Sequence, residues 1–331
     1  MIISQTPLRI SFAGGGTDLS VFYKEEEGWV ISSSIDKYVY VIIKERFDDK
    51  IYVNYSKNQE IVDSVDEIQH DLVREAMLRA GIVNGVEIST LADIPSEGSG
   101  LGSSSSVTVG LLNACYTYMG ISKPAEDLAR EACEIEIDVV GKPIGKQDQY
   151  IAAYGGIRFF RFKPDDTVEV EKINLENGIK RKFGSNLLLF FTGTTRDANA
   201  ILEKQKERST NGAFTALKEI KSHAKMTREL LESRRFEDVG NLLHQTWLSK
   251  KTLTDGISNF TIETMYEKAR KAGALGGKVS GAGGGGFLLL YVPREKQDSV
   301  REALNQYREF PFFLEQYGSK IIFNYGGYEW K

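Results

Sequence analysis

The run Gly98-Ser99-Gly100-Leu101-Gly102-Ser103-Ser104-Ser105-Ser106 combines glycines with hydroxyls in a way that suits an anion. Glycines let the backbone turn its N–H groups inward and admit a bulky anion close to the chain. A helix starting right after the last glycine adds about half a positive charge at its N-terminus. The serine hydroxyls then serve phosphate or a magnesium ion. The same composition also makes a plain turn capping a helix, because serine is favoured at that position, and the loop alone leaves both readings open. No Lys-Ser or Lys-Thr follows Gly102, so this is not a Walker A loop.

Charged residues elsewhere are candidates to work with such a cradle. Arg9 sits in the apolar run Leu8-Arg9-Ile10-Ser11-Phe12, where a guanidinium must find an anion or leave the core. Asp148 lies in Gly145-Lys146-Gln147-Asp148-Gln149, read as a loop after a helix, and Glu136 lies within that helix. Taken singly, each carboxylate reads first as a solvated or capping residue.

Other motifs exclude chemistry. Gly281, Gly283 and Gly286 match G-x-G-x-x-G, but a helical pattern precedes them and an apolar strand follows, the reverse of a dinucleotide-binding turn. His70, His223 and His244 lack close ligand spacing, so structural roles on helices are expected rather than zinc. No G-x-S-x-G elbow is present, which weakens hydrolase readings.

The elements that must position these residues follow from periodicity. Strands are expected at residues 8–12, 30–35, 38–44, 86–91, 157–162, 186–192 and 287–292, with a closing strand pair after 312. Helices are expected at 66–80, ended by Gly81, at 103–119, and from Pro124 to Gly141. Several more are expected between 199 and 272, and another at 294–307. Strands and helices mix without strict alternation, which points to an α+β architecture with helices on mainly antiparallel sheets. Polar, turn-rich segments put a domain boundary near Gly178.

Composition narrows the function classes. The 331 residues, 41% of them hydrophobic, can fill two cores. Lysines and arginines number 42 against 46 acidic residues, a net charge of -4, which offers no field for grasping nucleic acid. The longest apolar runs are strand-sized, so no membrane span is expected. Cys115 and Cys133 have no CxxC spacing and fall among apolar residues, consistent with reduced core thiols of a cytoplasmic protein.

Three segments together resemble one family. Pro7-Leu8-Arg9-Ile10-Ser11-Phe12-Ala13-Gly14-Gly15-Gly16-Thr17-Asp18 is similar to the first motif of the GHMP kinases, which include galactokinase, homoserine kinase and mevalonate kinase. Residues 95–106 resemble their phosphate loop, P-x-x-x-G-L-G-S-S, and Lys278-Val279-Ser280-Gly281-Ala282-Gly283-Gly284-Gly285-Gly286 resembles their third motif. The order is right and the three span nearly the whole chain. The resemblance implies an N-terminal α+β domain, residues 1–178, and a ferredoxin-like C-terminal domain, residues 179–331, with the active site between them. It implies ATP held by Gly98, Ser99, Gly100, Leu101, Gly102, Ser103, Ser104 and Ser105, and Mg²⁺ held by Ser104 and Glu136. Asp148 would be the catalytic carboxylate, with Arg9 beside it and the moving phosphoryl group. Gly15, Gly16, Thr17, Asp18, Gly283 and Gly284 would meet the acceptor sugar.

Within the family, Gly-Gly-Gly-Thr-Asp-Leu stands where galactokinases have Gly-Glu-His-Thr-Asp, a departure that speaks against galactose. The stretch resembles instead the D-glycero-D-manno-heptose 7-phosphate kinases of nucleotide-heptose synthesis, as does the turn Thr192-Gly193-Thr194-Thr195-Arg196. That implies phosphorylation of an anomeric hydroxyl on a sugar already carrying phosphate, hence a second anion site. Arg196, with the Thr194 and Thr195 hydroxyls and help from Lys146, is the candidate; a salt bridge at a helix start explains Arg196 equally well. Alternatives are a kinase for a free sugar of fucose, galactose or arabinose type, and a silent sugar sensor of the same fold. The partners implied are ATP and a small phosphosugar, with no nucleic acid and no membrane, for a monomer or homodimer.

Overall fold

The computed structural model describes residues 1–56, 58–94, 98–194 and 213–325. The chain opens with β1 (Ile2–Ala13), α1 (Ser20–Tyr23), β2 (Gly28–Glu45), β3 (Ile51–Tyr55) and β4 (Asn58–Val62). Then come α2 (Asp71–Ala80), β5 (Val86–Ala92), α3 (Ser103–Tyr118), α4 (Ala125–Cys133) and α5 (Gln147–Tyr154). β6 (Ile157–Phe162), β7 (Val168–Lys172), α6 (Asn177–Gly184) and β8 (Leu187–Phe191) follow. The rest is α7 (Ala213–Glu232), α8 (Phe236–Lys251), α9 (Phe260–Lys271), β9 (Gly276–Val279), β10 (Phe287–Tyr291), α10 (Gln297–Ala303) and β11 (Lys320–Asn324).

β2 is the spine of an eight-stranded sheet. It pairs with β1 along most of its length, while its first residues pair with β6 and its last with β5. The sequence pattern reads as two strands, at 30–35 and 38–44, and the structure joins them. The register slips at Asp36 and Lys37, where the pairing steps from Pro7–Tyr38 to Leu8–Ile35. A bulge of this kind bends a strand without ending it. Residues 312–315 fill in beside the slip, through a bridge between Ile35 and Leu314 and the bonds Asp36 N–H to Phe313 O and Glu315 N–H to Ser34 O. The closing strand pair therefore reduces to β11, which pairs with β1. Pairings are antiparallel except β3 with β5, and α3 and α7 both pack on β1 and β2.

The second sheet has the order β8-β10-β9 and is antiparallel. An isolated bridge from Phe190 to Glu309 extends it on the far side of β8. The resulting spatial order, with β8 first and the 309 segment last in sequence, is that of a split β-α-β-β-α-β unit. Both its long strands are unbroken apolar runs because both faces are covered. Leu187, Leu189, Phe287, Leu289 and Tyr291 join the large core, whereas Leu188, Phe190, Leu288 and Leu290 point to a second core with Trp247, Met265 and Val300. The small sheet is thus the wall that the two cores share.

Candidate active site

A cleft of about 1460 Å³ lies where the glycine-rich segments meet. Arg9, on β1, is positioned by its main-chain N–H, which donates to the Leu101 carbonyl at 2.9 Å. Its side chain is 5% exposed. Nε and Nη2 donate to Oδ1 and Oδ2 of Asp148 at 2.7 and 2.6 Å, and Nη1 donates to the Gly100 carbonyl. The anion that Arg9 requires is therefore Asp148. Asp148 is not on a loop: it stands in the first turn of α5, where the unpaired N–H groups of a helix start favour a carboxylate.

Gly102, with φ of 77°, is the cap residue of α3, and Ser103 to Ser106 make the first turn of that helix. Gly100 also has a left-handed backbone (φ 72°), and a Cβ there would stand 2.5 Å from the Ser280 carbonyl. No side chain fits between the phosphate-loop candidate and the third glycine segment. The two loops touch backbone to backbone, which fixes one half of the chain against the other beside the Arg9–Asp148 pair.

Glu136 lies in a π-helical stretch, residues 134–139, that continues α4. Such widened turns recur at functional sites. Its carboxylate is wholly buried; Oε1 accepts from Ser104 Oγ at 2.6 Å and Oε2 from Gln149 Nε2 at 2.8 Å. The Lys142 ammonium bonds both Ser104 Oγ, at 2.6 Å, and Glu136 Oε1, at 2.9 Å. A cation thus already rests on the hydroxyl and carboxylate expected to hold Mg²⁺. The donor set fits a hard ion that takes its remaining ligands from phosphate and water. Among the described residues no group of three or more His, Cys, Asp or Glu side chains is placed to hold a metal by itself.

Asp18 is 4% exposed and accepts from the backbone N–H groups of Gly16 (2.9 Å) and Gln147 (3.2 Å). Burial raises its pKa, and neighbouring Asp148 raises it further, while the two N–H groups pull the other way. Gly15, Gly16 and Asp18 line the cleft with Arg9, Asp148, Gly98, Ser99, Gly100, Gly102 and Ser103 to Ser105. Other candidates stand behind it. Thr17 is buried and its hydroxyl donates to the carbonyls of Gly14 and Trp29, tying the first glycine segment to β2. Leu101 is in the core. Gly283 and Gly284 pack on Ile257, with Gly284 N–H donating to the Ile257 carbonyl at 2.8 Å, and they are not among the cleft-lining residues. Thr195 and Arg196 lie outside the described residues. Lys146 is held by Asp166, through its carbonyl at 3.1 Å and Oδ1 at 3.2 Å.

Besides Lys142, two further lysines in the cleft went unassigned from the sequence. Lys278 on β9 is 3% exposed and donates to the Ser11 carbonyl at 2.8 Å. Lys250, on α8, donates to the carbonyls of Val279, at 3.2 Å, and Gly281. Burial, and then the nearby Arg9 charge, brings Lys250 down to about 7. Lys278 is pushed well down by burial, then by Lys250 and Arg9. Lys278 sits at the head of the third glycine segment, which carried no reading for its charge, and Lys250 in Ser249-Lys250-Lys251 looks like any helix surface. His223 and His244 bond Thr246 Oγ1 and Tyr266 OH, as structural residues would, but His70 differs. It precedes α2 and lines the cleft edge-on to Tyr55, with ring centroids 4.5 Å apart.

A carboxylate locked to an arginine, a glycine cradle on a helix start and an oxygen pair suited to a hard cation are what phosphoryl transfer requires. Comparison with known proteins agrees. The family model for the GHMP kinases N terminal domain matches residues 68–156, and the model for the GHMP kinases C terminal domain matches residues 227–309. Over 320 residues the chain is 31% identical to a D-glycero-alpha-D-manno-heptose 7-phosphate kinase of Campylobacter jejuni, covering 92% of this chain and 93% of that one. The chain belongs to the GHMP kinases. It is a sugar kinase, a phosphotransferase of two-domain GHMP fold. The crystal structure of a D-glycero-D-manno-heptose 1-phosphate kinase from Bacteroides thetaiotaomicron superposes on this kinase with a TM-score of 0.82 at 28% identity, over 98% of this chain and 100% of that one. A bifunctional fucokinase/GDP-fucose pyrophosphorylase of Arabidopsis thaliana is 27% identical over 92% of this kinase but 31% of its own length. Among the described residues no helix is long and apolar enough to cross a membrane.

Proposed function

We propose that this GHMP kinase transfers the terminal phosphoryl group of ATP to the anomeric hydroxyl of D-glycero-D-manno-heptose 7-phosphate, giving the 1,7-bisphosphate and ADP. The observation that carries the reaction is the Asp148 carboxylate, held by Arg9 at the foot of the phosphate loop and lining the cleft. The acceptor rests on similarity along nearly the whole chain to the Campylobacter heptose 7-phosphate kinase.

In this reading the N–H groups of residues 98–105 and the start of α3 hold the ATP phosphates. Asp18 accepts from acceptor hydroxyls, and Asp148 orients the anomeric O–H and receives its proton. The acceptor oxygen forms the new P–O bond as the bond from the γ-phosphorus to the bridging oxygen breaks, and ADP leaves. Arg9 holds Asp148 in place through its two-pronged ion pair and faces the charge on the moving group. Mg²⁺, bound by Ser104 and Glu136 with phosphate oxygens, would supply further neutralisation of that charge. Arg196, Thr194 and Thr195 remain our assignment for the acceptor's own phosphate. We divide the chain at 178/179, within α6, so that β8 is the first strand of the second unit, and place the enzyme in the cytoplasm, as the buried free thiols of Cys115 and Cys133 suit.

Fucokinases of Arabidopsis thaliana and Bacteroides fragilis are also similar over most of the chain, and they favour a second reading, a free L-fucose-type acceptor. ADP release in the presence of magnesium, measured with heptose 7-phosphate, fucose, mannose, galactose and arabinose, separates the two. Turnover with heptose 7-phosphate at least about a hundredfold above the free sugars is expected, since a site built to bind a phosphate rejects sugars lacking it. Turnover led by fucose overturns the acceptor assignment.

A further inference from the structure

Lys142 has two ties to Glu136. Its main-chain N–H donates to the Glu136 carbonyl at 2.9 Å, and its ammonium bonds the Glu136 carboxylate and the Ser104 hydroxyl. Glu136 is wholly buried, and an ionised carboxylate so placed is costly without a cation beside it. Gln149 donates to its other oxygen but brings no charge. The only ion pair of Glu136 among the described residues is with Lys142.

Ser104 and Glu136 cannot serve two cations together. With the ammonium at its present distances of 2.6 and 2.9 Å, a divalent ion bound to both oxygens would sit no more than about 4 Å from it. Like charges that close repel strongly in a partly buried site. The ammonium is the member free to go. It ends a long flexible side chain that lines the cleft and is 22% exposed, while the backbone of Lys142 stays pinned.

We propose that Lys142 is the resident cation of the metal site, holding Ser104 and Glu136 together in the metal-free enzyme and yielding its place when a divalent ion enters. The inference rests on assigning Ser104 and Glu136 as metal ligands. It makes metal binding an exchange of one cation for another rather than the filling of a vacant site. The ion's affinity for the free enzyme is then set against the Lys142 ion pair, and metal entry frees a lysine facing the nucleotide side of the cleft.

The test is Mn²⁺ binding to the nucleotide-free enzyme by electron paramagnetic resonance, with wild type, K142M, K142R and E136Q. Removing the competitor in K142M should tighten Mn²⁺ on the order of tenfold, whereas K142R, which keeps the charge, should stay near wild type. E136Q should bind more weakly than wild type. K142M should also lose melting temperature without metal and recover it with Mn²⁺, because the ion replaces the missing charge. Unchanged or weaker Mn²⁺ binding by K142M, with E136Q impaired, overturns the exchange and leaves the metal site standing. Equal binding by wild type, K142M and E136Q overturns both, because the ligands themselves are then wrong.

Discussion

Arg9 and Asp148 meet in a two-pronged ion pair, Nε to Oδ1 at 2.7 Å and Nη2 to Oδ2 at 2.6 Å, although 139 residues separate them in sequence. The third arm of the same guanidinium is bonded to the Gly100 carbonyl. One side chain therefore sets the distance between the carboxylate we propose as catalytic and the loop we propose for the ATP phosphates. Asp148→Asn keeps the size of the side chain but removes the charge and proton-accepting capacity. Its turnover should fall by about 10²–10⁴, with the acceptor KM within a few-fold of wild type. Steady-state kinetics would check this, and a mutant that keeps more than about a tenth of the activity would remove Asp148 from the reaction.

With Asp18 as the proposed acceptor ligand, stability is traded for function. The pKa of Asp18 is raised chiefly by burial, so the folded state holds its proton more tightly than the unfolded chain does. By linkage, stability falls as pH rises through that raised value, and Asp18 costs the fold stability at neutral pH. Asp18→Asn should melt a few degrees higher near neutrality, with the gain fading toward acid pH where wild-type Asp18 is protonated. Its acceptor KM should rise about tenfold or more. Calorimetry across pH, set beside kinetics, measures both halves of the trade.

Phosphate binding should draw in protons. Lys250 is lowered to about 7 by burial and by Arg9, so near pH 8 most of it is neutral in the empty cleft. An arriving phosphate anion favours the charged form and raises the pKa again. Titration of a non-hydrolysable ATP analogue in buffers of different ionisation enthalpy should show proton uptake at about pH 8 that shrinks by about pH 6, where the lysine is already charged. Lys250→Met should abolish that difference. Linkage also fixes the sign for the free enzyme: the unfolded lysine binds its proton at higher pH, so stability should climb as pH rises above about 7.

Backbone contact between the two glycine segments can be tested sterically. Gly100→Ala puts a Cβ 2.5 Å from the Ser280 carbonyl on a left-handed backbone, so it should destabilise by about 1–3 kcal/mol and depress turnover. Gly178→Ala is the control. It lies in α6, where an added Cβ meets nothing within 4 Å, and it should be neutral or stabilising by about 0.4–1 kcal/mol. Thermal melts of both, with ATP kinetics for the first, decide whether the close approach matters.

How much of this was legible in the sequence depended on where each signal resided. The strand β10 and the helix α3 were readable because apolar periodicity and a Gly-Ser start coincide there. Arg9 stood out because a cation inside an apolar strand is a local contradiction, but that Asp148 would stand beside it came only from the resemblance to the family. Lys142, Lys250 and the π-helical setting of Glu136 were invisible, because Lys142 meets Ser104 and Lys250 meets Val279 across 29 or more residues, and a widened helix leaves no compositional trace. Lys142 is separated from Ser104 by 38 residues and looks like an ordinary loop lysine. The bulge at Asp36 and Lys37 hid in a polar pair that reads as a turn, and only the unbroken partner strand β1 keeps β2 whole. The helix α5 was missed whole: Lys146, Gln147 and Asp148 are polar and read as a loop, and the buried stretch Tyr150 to Ala153 that follows is too short to show a helical period.

The central claim, transfer of phosphate to an anomeric oxygen by this cleft, is tested most directly by phosphorus NMR of the product formed from ATP and D-glycero-D-manno-heptose 7-phosphate. One new phosphomonoester signal coupled to the anomeric proton is expected, growing in step with ADP and absent with Asp148→Asn. ADP appearing with free phosphate alone, or a new phosphate on any other carbon, would contradict it.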